Sequence, residues 1–393
     1  MTSVTATVDP LPGMTTLGMS MTKLRSVLLA LCLVVAGVVL PVGVAAAGTP
    51  GRVVSVEPLP ANLWLPNTAR AYRVQYTSHN VRGRPSVVSG AVFVPTGRTP
   101  RGGWPVVAWA HGTVGIADNC APSTNGRSQR DVDYLKAWLG AGYAVVATDY
   151  EGLGTAGEHP YENGGAEARS VIDLVRASPR VDRSLGSRWL AVGQSQGAQA
   201  TMFTGSIVES YAPELDFRGT IATGMPSQWR TLAEVAHVYD PAAPPIPEAL
   251  LIISGLAVAH PTTVHPSELL TPLGKDLLDK SRATYCYDDL AAQLAGKTNA
   301  DIFAIDDNER ALVQNLVDED AEIPVKEYAG PIFIAQGTAD TVVYAPASKT
   351  TADNLTAAGN DVTFHFYPGA DHDTTLQAAL PDLLAFAAAH LTP

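Results

Sequence analysis

The sequence predicts an α/β fold: a mostly parallel central sheet flanked by helices, with a helical cap inserted after the sixth strand. Three observations predict it. Short apolar runs alternate with helix-like segments from Pro105 onward. That rhythm stops near Met225 and resumes at Pro331. One of the runs ends directly in a glycine-flanked serine that opens a helix.

Size and composition permit such a fold. The chain has 393 residues, 46% hydrophobic and 16% charged, which suffices for one large core or two smaller ones and is too apolar for disorder. Its net charge of −12 repels phosphate, so neither nucleic acid nor an anionic membrane is an expected partner.

The N-terminus reads as an export signal covering residues 1–47. Lys23 and Arg25 precede an almost wholly apolar run, Val27 to Leu40, and Ala45-Ala46-Ala47 offers small residues for cleavage before Gly48. The run is about 14 residues, short of the roughly 20 that a membrane span needs. An uncleaved membrane anchor is the competing reading. Met19 or Met21 is an alternative translation start. Cys32 follows Leu31 rather than a small residue, which argues against lipid modification. Removal of the signal leaves Cys120 and Cys286. In an oxidising compartment an isolated pair reads as a disulfide, the alternative being two separate buried thiols.

Along the mature chain, Gly51 to Pro66 is dotted with prolines and is expected to wrap the surface. Ala71 to Tyr76 and Val87 to Val94, separated by the turn-rich Asn80-Val81-Arg82-Gly83, read as an antiparallel hairpin at the sheet edge. Pro105 to Ala110 is a strand, Asp131 to Leu139 a helix, Tyr143 to Thr148 a strand and Ala166 to Arg176 an amphipathic helix. Trp189 to Val192 is a strand, Ala198 to Val208 a helix and Phe217 to Thr223 a strand. Strands alternating with helices imply parallel pairing through right-handed crossovers. Residues 225–324 then form a helical insertion, with the proline-rich stretch Pro241 to Pro247, the apolar Ala249 to Ala259, and helices at Leu269 to Asp279 and Asp288 to Leu294. The core resumes over residues 325–393, with strands at Pro331 to Ala335 and Val362 to Tyr367, each followed by a helix, Ala347 to Ala357 and Thr374 to His390.

The chemistry is read from position. A strand, then Gly193-Gln194-Ser195-Gln196-Gly197, then a helix is the nucleophile-elbow pattern of the α/β-hydrolase fold. The turn strains the serine backbone, and a side chain at either flanking glycine would meet neighbouring backbone. Ser195 is the expected nucleophile. By itself the pentapeptide is a weak signal, and its flanks supply the specificity. The base must follow later in the chain. His237, His260 and His265 fall in the insertion, His365 lies within a strand and His390 at the tail; His372, in the loop after the last strand, is the expected base. Asp340, in the loop after the preceding strand, is the expected orienting acid. Asp371 and Asp373 adjoin the histidine too closely to fold back onto its ring, and read as solvated loop charges. Oxyanion donors are expected from the backbone of Gln196 and from the loop Ala110-His111-Gly112-Thr113, through Gly112 or Thr113, whose hydroxyl is a further donor. His111 reads as a brace for that loop and Glu151 as a structural or substrate-rim residue. The sequence shows no histidine pair at helical spacing, no CxxC and no phosphate loop, so no metal or cofactor is expected.

Together, His111-Gly112-Thr113, Cys120, Asp149-Tyr150-Glu151-Gly152-Leu153-Gly154, the serine pentapeptide, Cys286, Gly337-Thr338-Ala339-Asp340 and Asp371-His372 resemble the secretory lipase family, which includes fungal lipases of the Candida lipase A type and actinobacterial secreted lipases. The resemblance covers most of the mature chain; the insertion matches mainly in place, length and Cys286. It implies carboxylic-ester hydrolysis by a Ser-Asp-His triad, a helical cap over an acyl-binding tunnel, and a cysteine link between the site loop and the cap, falling here on Cys120 and Cys286. The implied partner is a small-molecule or lipid ester, met with transient contact at a lipid interface. In the fungal relatives a side-chain acid is assigned to the oxyanion loop; the stretch from His111 to Gly115 offers none. An acyltransferase or peptidase on the same fold, and a non-catalytic binding module, are the competing readings.

Overall fold

A computed structural model describes residues 49–391. The expected export signal, with Lys23, Arg25, Cys32 and the Ala45–Ala47 cleavage region, lies outside the described residues. Among those described, no helix is long and apolar enough to cross a membrane.

Nine strands form one sheet: β1 (Val53–Pro58), β2 (Thr68–His79), β3 (Pro85–Pro95), β4 (Trp104–Ala110), β5 (Ala144–Thr148), β6 (Leu185–Gln194), β7 (Asp216–Thr223), β8 (Ile332–Gly337) and β9 (Val362–Tyr367), in spatial order β1-β2-β3-β5-β4-β6-β7-β8-β9. The first three pair antiparallel, β3 pairs antiparallel with β5, and β5 through β9 are parallel. The hairpin β2–β3 therefore sits towards one edge, as expected, but β1 covers it. The segment read as a surface wrap contains this strand, paired so that Val56 faces Val74. Its burial is slight and its alternating Val54 and Val56 are exposed, so no core pattern marks it. The helical insertion consequently follows the seventh strand among the described residues, which is the sixth of those legible in the sequence.

The central strands β4 and β5 are almost wholly apolar and buried because helices cover both faces of the sheet there. Side chains of β4 alternate accordingly. Val107 and Trp109 pack towards Tyr134, Leu135 and Trp138 of α1 (Gln129–Gly140) and towards the C-terminal helix Thr374–Leu391. Val106, Ala108 and Ala110 point the other way, into a cluster with Ile172 and Leu174 of α2 (Gly164–Val181) and Ala200 of α3 (Gln196–Tyr211). At about 1.5–3 kcal/mol per fully buried large aliphatic side chain, these two layers dominate the stability of the scaffold.

Between β7 and β8 the chain leaves the sheet and builds helices, the longer ones being α4 (Trp229–Val235), α5 (Pro247–Ala259), α6 (Pro272–Ala283), α7 (Tyr287–Leu294) and α8 (Asp307–Ala321). They share their own apolar cluster, in which Leu250, Leu256, Leu277 and Leu290 are buried. The apolar run in α5 is thus core to this block through Leu250 and Leu256, while Ala249, Ile252 and Ile253 line a cavity beneath it. Gln199 of α3 anchors the end of the block by donating from Nε2 to the Ala321 carbonyl at 3.1 Å.

Candidate active site

Parallel strands bring their carboxyl ends to one edge of the sheet, and in open α/β sheets ligands bind there. Four loops meet at this edge: those after β4, β6, β8 and β9 carry Gly112 and Thr113, Ser195, Asp340 and His372 respectively.

Ser195 sits at φ 56° and ψ −125°, a left-handed backbone that a non-glycine residue adopts only when its surroundings impose it. The flanking glycines are what the turn requires. A Cβ at Gly193 would lie 2.0 Å from the Gly197 carbonyl oxygen, and one at Gly197 would lie 1.9 Å from that of Ala110. The backbone N–H of Ser195 donates to the Thr223 carbonyl at 3.0 Å, fastening the turn to β7. Gln196 opens α3, so its N–H belongs to the positive end of that helix.

His372 and Asp340 come together as expected. Imidazole Nδ1 lies 2.8 Å from Asp340 Oδ2, with the carboxylate fully buried and the imidazole 13% exposed. Asp340 Oδ1 accepts from the backbone N–H groups of Val342 and Val343, both at 2.9 Å, and Oδ2 also accepts from Gln336 Nε2 at 3.0 Å. Burial pushes the Asp340 carboxyl up, but the His372 hydrogen bond and charge and these backbone donors outweigh it and hold its pKa below the usual value. An ionised carboxylate only accepts, so the proton of this hydrogen bond sits on Nδ1, and Nε2 takes no part in it. Gly224, after β7, supports the pair from below: at φ 58°, a Cβ there would lie 3.1 Å from His372 Cε1.

The two rival acids do other work. Asp371 accepts from Thr374 N at 2.8 Å and Thr374 Oγ1 at 2.6 Å, capping the last helix. Asp373 pairs with Arg130. His111 is the brace expected of it, with Nδ1 2.7 Å from its neighbour's Gly112 carbonyl and its ring 4.4 Å from that of Tyr150. Glu151 accepts from Val81 N at 2.9 Å and so ties down the β2–β3 turn; burial pushes its carboxyl up to about 7.

Gly112 adjoins Ser195, since a Cβ there would lie 3.5 Å from Ser195 Cβ. Thr113 Oγ1 lies 2.7 Å from Tyr161 OH, a partner with no sequence signal. Ser195 borders two cavities. One, of about 450 Å³, runs under the inserted helices between apolar side chains such as Trp229, Leu232, Ile252, Phe303 and Val317. The other, of about 540 Å³, has a more polar lining than the first and is also bordered by His372, Gly112, Thr113, Arg130 and Asp373. Cys120 and Cys286 form a disulfide between residues 166 apart in sequence, with Cα atoms at 5.5 Å. Around it, Tyr287 N donates to Val114 O at 3.0 Å and Asn119 Nδ2 to Thr284 O at 2.9 Å, so the loop after β4 is tied to the inserted helices at the mouth of the site. Among the described residues no cluster of histidine, cysteine or acidic side chains is arranged to hold a metal ion.

Sequence reasoning missed the buried layer behind the serine. His159, Glu162 and Glu167 lie there, with Glu162 also lining the apolar cavity. Glu167 looks like a solvated helix charge in sequence, and nothing in the local pattern tells that α2 is covered on both sides.

The family model described as Secretory lipase matches residues 121–391. The chain is 27% identical to Lipase A of Moesziomyces aphidis over 349 residues, covering 82% of this chain and 72% of that protein. It is 24% identical over 318 residues to a probable inactive lipase of Mycobacterium tuberculosis, covering 77% and 69%. Among solved structures, Candida antarctica lipase A in its closed state superposes with a TM-score of 0.69 at 23% identity, over 88% of this chain and 84% of that one. A match over most of the described residues, carried on an α/β-hydrolase fold, establishes that this chain belongs to the secretory lipase family.

Proposed function

We propose that the protein is a secreted serine carboxylic-ester hydrolase that cleaves acylglycerols or other fatty-acyl esters. The observation that carries this reading is the buried, ionised Asp340 hydrogen-bonded to His372 on the cavity that Ser195 borders.

In this mechanism His372 Nε2 takes the proton from Ser195 Oγ as the oxygen attacks the ester carbonyl. The tetrahedral oxyanion is met by the backbone N–H of Gln196 and by the loop at Gly112 and Thr113. With Tyr161 OH as the donor in its 2.7 Å hydrogen bond to Thr113 Oγ1, the threonine proton is free to turn to the oxyanion. The C–O bond to the alcohol then breaks, and the alkoxide leaves with the proton held by His372. Water, deprotonated by the same imidazole, cleaves the acyl-enzyme and restores Ser195. The apolar cavity under residues 225–324 takes the acyl chain, which makes that block a cap, and the polar cavity takes the alcohol. Residues 1–47 act as the export signal, cleaved near Ala47, and the lipid interface is a transient contact.

A non-catalytic reading has one observation in its favour, the likeness to a relative named a probable inactive lipase. Retention of Ser195, Asp340 and His372 weighs against it. Hydrolysis of p-nitrophenyl esters of graded acyl length, beside Ser195→Ala, separates the two. Turnover by the wild type and its loss in the variant supports the hydrolase; an inert wild type, or an active variant, removes it.

A further inference from the structure

We propose that Glu167 is a positioning residue for the oxyanion hole, acting through the side chain of Gln196. The proposal rests on the role of the Gln196 N–H in the hydrolase reading above.

Gln196 directly follows the nucleophile, and its side chain is buried. The amide nitrogen Nε2 carries two hydrogens, and two acceptors face it: Glu167 Oε1 at 2.7 Å and His159 Nε2 at 2.9 Å. His159 fits this role. Burial pushes its imidazole down to about 3, so it is neutral, and its Nδ1–H donates to the Glu151 carbonyl at 2.8 Å, leaving Nε2 to accept. Glu167 is fixed in turn, because Oε1 also accepts from the Glu162 backbone N–H at 3.1 Å. The Gln196 side chain is therefore stretched between α2 and the loop that precedes it, and cannot rotate.

A plain filler would not need this arrangement. Glu162 and Glu167 are both buried, and neither Oε2 has a hydrogen-bond partner among the described residues. Burial holds both carboxyls above the ordinary range; Glu162 adds to this at Glu167, and Glu248 adds to it at Glu162. Glu162 also sits at φ 61°. An apolar core would avoid the cost of burying two carboxyls with unpaired oxygens. What the arrangement supplies is a fixed residue on the far side of the Ser195–Gln196 peptide. Ser195 holds that peptide from one end in a strained turn, and the clamp holds it from the other. An oxyanion donor works only within a few tenths of an ångström of its place, so a restraint here acts on rate.

The test uses the full chain with Glu167→Ala, Glu167→Gln and Gln196→Ala. In Glu167→Ala, kcat for p-nitrophenyl butyrate is expected to fall about 10- to 100-fold, with KM within about threefold. Inhibition by an alkylboronic acid, which mimics the tetrahedral adduct, should weaken by the same factor. Glu167→Gln keeps an oxygen that accepts from Gln196 and should recover most of the lost rate. Combined with Gln196→Ala, Glu167→Ala should add nothing further. Hydrogen exchange read by mass spectrometry follows the clamp without turnover: the peptide containing Gln196 should exchange faster in Glu167→Ala than in Glu167→Gln or the wild type. Undiminished kcat in Glu167→Ala, equal losses in both Glu167 variants, or additive losses with Gln196→Ala overturn the proposal. Should Glu167→Ala not fold, full kcat in Gln196→Ala overturns it instead. A wild type inert on every ester removes the hydrolase reading, and the exchange measurement then decides the clamp alone.

Discussion

Asp340 holds His372 through one carboxylate oxygen while the other is fixed by two backbone N–H groups, so the hydrogen bond of 2.8 Å joins the imidazole to a carboxylate that cannot turn away. This relationship sets the tautomer of the base. Asp340→Asn keeps the shape but places an amide where the acceptor must be. Its kcat on p-nitrophenyl esters should fall about 10⁴-fold with the fold unchanged by circular dichroism. A loss below tenfold would mean that another group orients the histidine.

The same bonds give Asp340 a signature in acid. Its folded pKa is held below the ordinary value, so its contribution to stability is complete above the unfolded value of about 3.9 and is lost as pH falls through the folded one. Melting temperature measured by calorimetry from pH 6 to pH 2.5 should drop below about pH 4 in the wild type. In Asp340→Asn the drop should be shallower, since asparagine does not titrate; parallel curves would contradict the assignment.

At the elbow, Gly197→Ala forces a methyl group to within 1.9 Å of the Ala110 carbonyl oxygen, which belongs to a central strand and cannot yield. The expected cost is at least about 3 kcal/mol, seen as a lower denaturant midpoint or as insoluble protein. A variant as stable as the wild type would show that the turn is looser than described.

The disulfide joins residues 166 apart, a long loop, so the chain-entropy model assigns it on the order of 4–5 kcal/mol. Cys120→Ala paired with Cys286→Ala should lower the melting temperature by several degrees. Its effect on ester hydrolysis should also be measurable, because the bond fastens the loop after β4 to the inserted helices. Labelling of free thiols in the unreduced wild type would contradict the bond.

Much of this architecture was legible because it rests on local pattern. Each central strand is an apolar run closed by a turn; Ser195 stands out by its glycine-flanked pentapeptide between a strand and a helix, and Asp340 and His372 by lying in the loops after the last two strands in the order the fold requires. β1 was not legible, since this short edge strand ends at Pro58 and its alternating Val54 and Val56 are exposed, so no core pattern marks it. The clamp around Gln196 was not legible either. Its members come from β6–α3, from α2 and from the loop holding His159, and only tertiary packing turns Glu167 from a surface charge into a buried acceptor. Tyr161 beside Thr113 is hidden for the same reason.

The central claim is that Ser195 is the nucleophile of an ester hydrolase, and covalent labelling tests it most directly. Treatment with an alkyl p-nitrophenyl phosphonate, followed by peptide mass mapping, should place one adduct on Ser195, abolish hydrolysis of p-nitrophenyl butyrate in proportion, and leave Ser195→Ala unmodified. Hydrolysis that survives complete modification, or an adduct on any other residue that accounts for the lost activity, would contradict it.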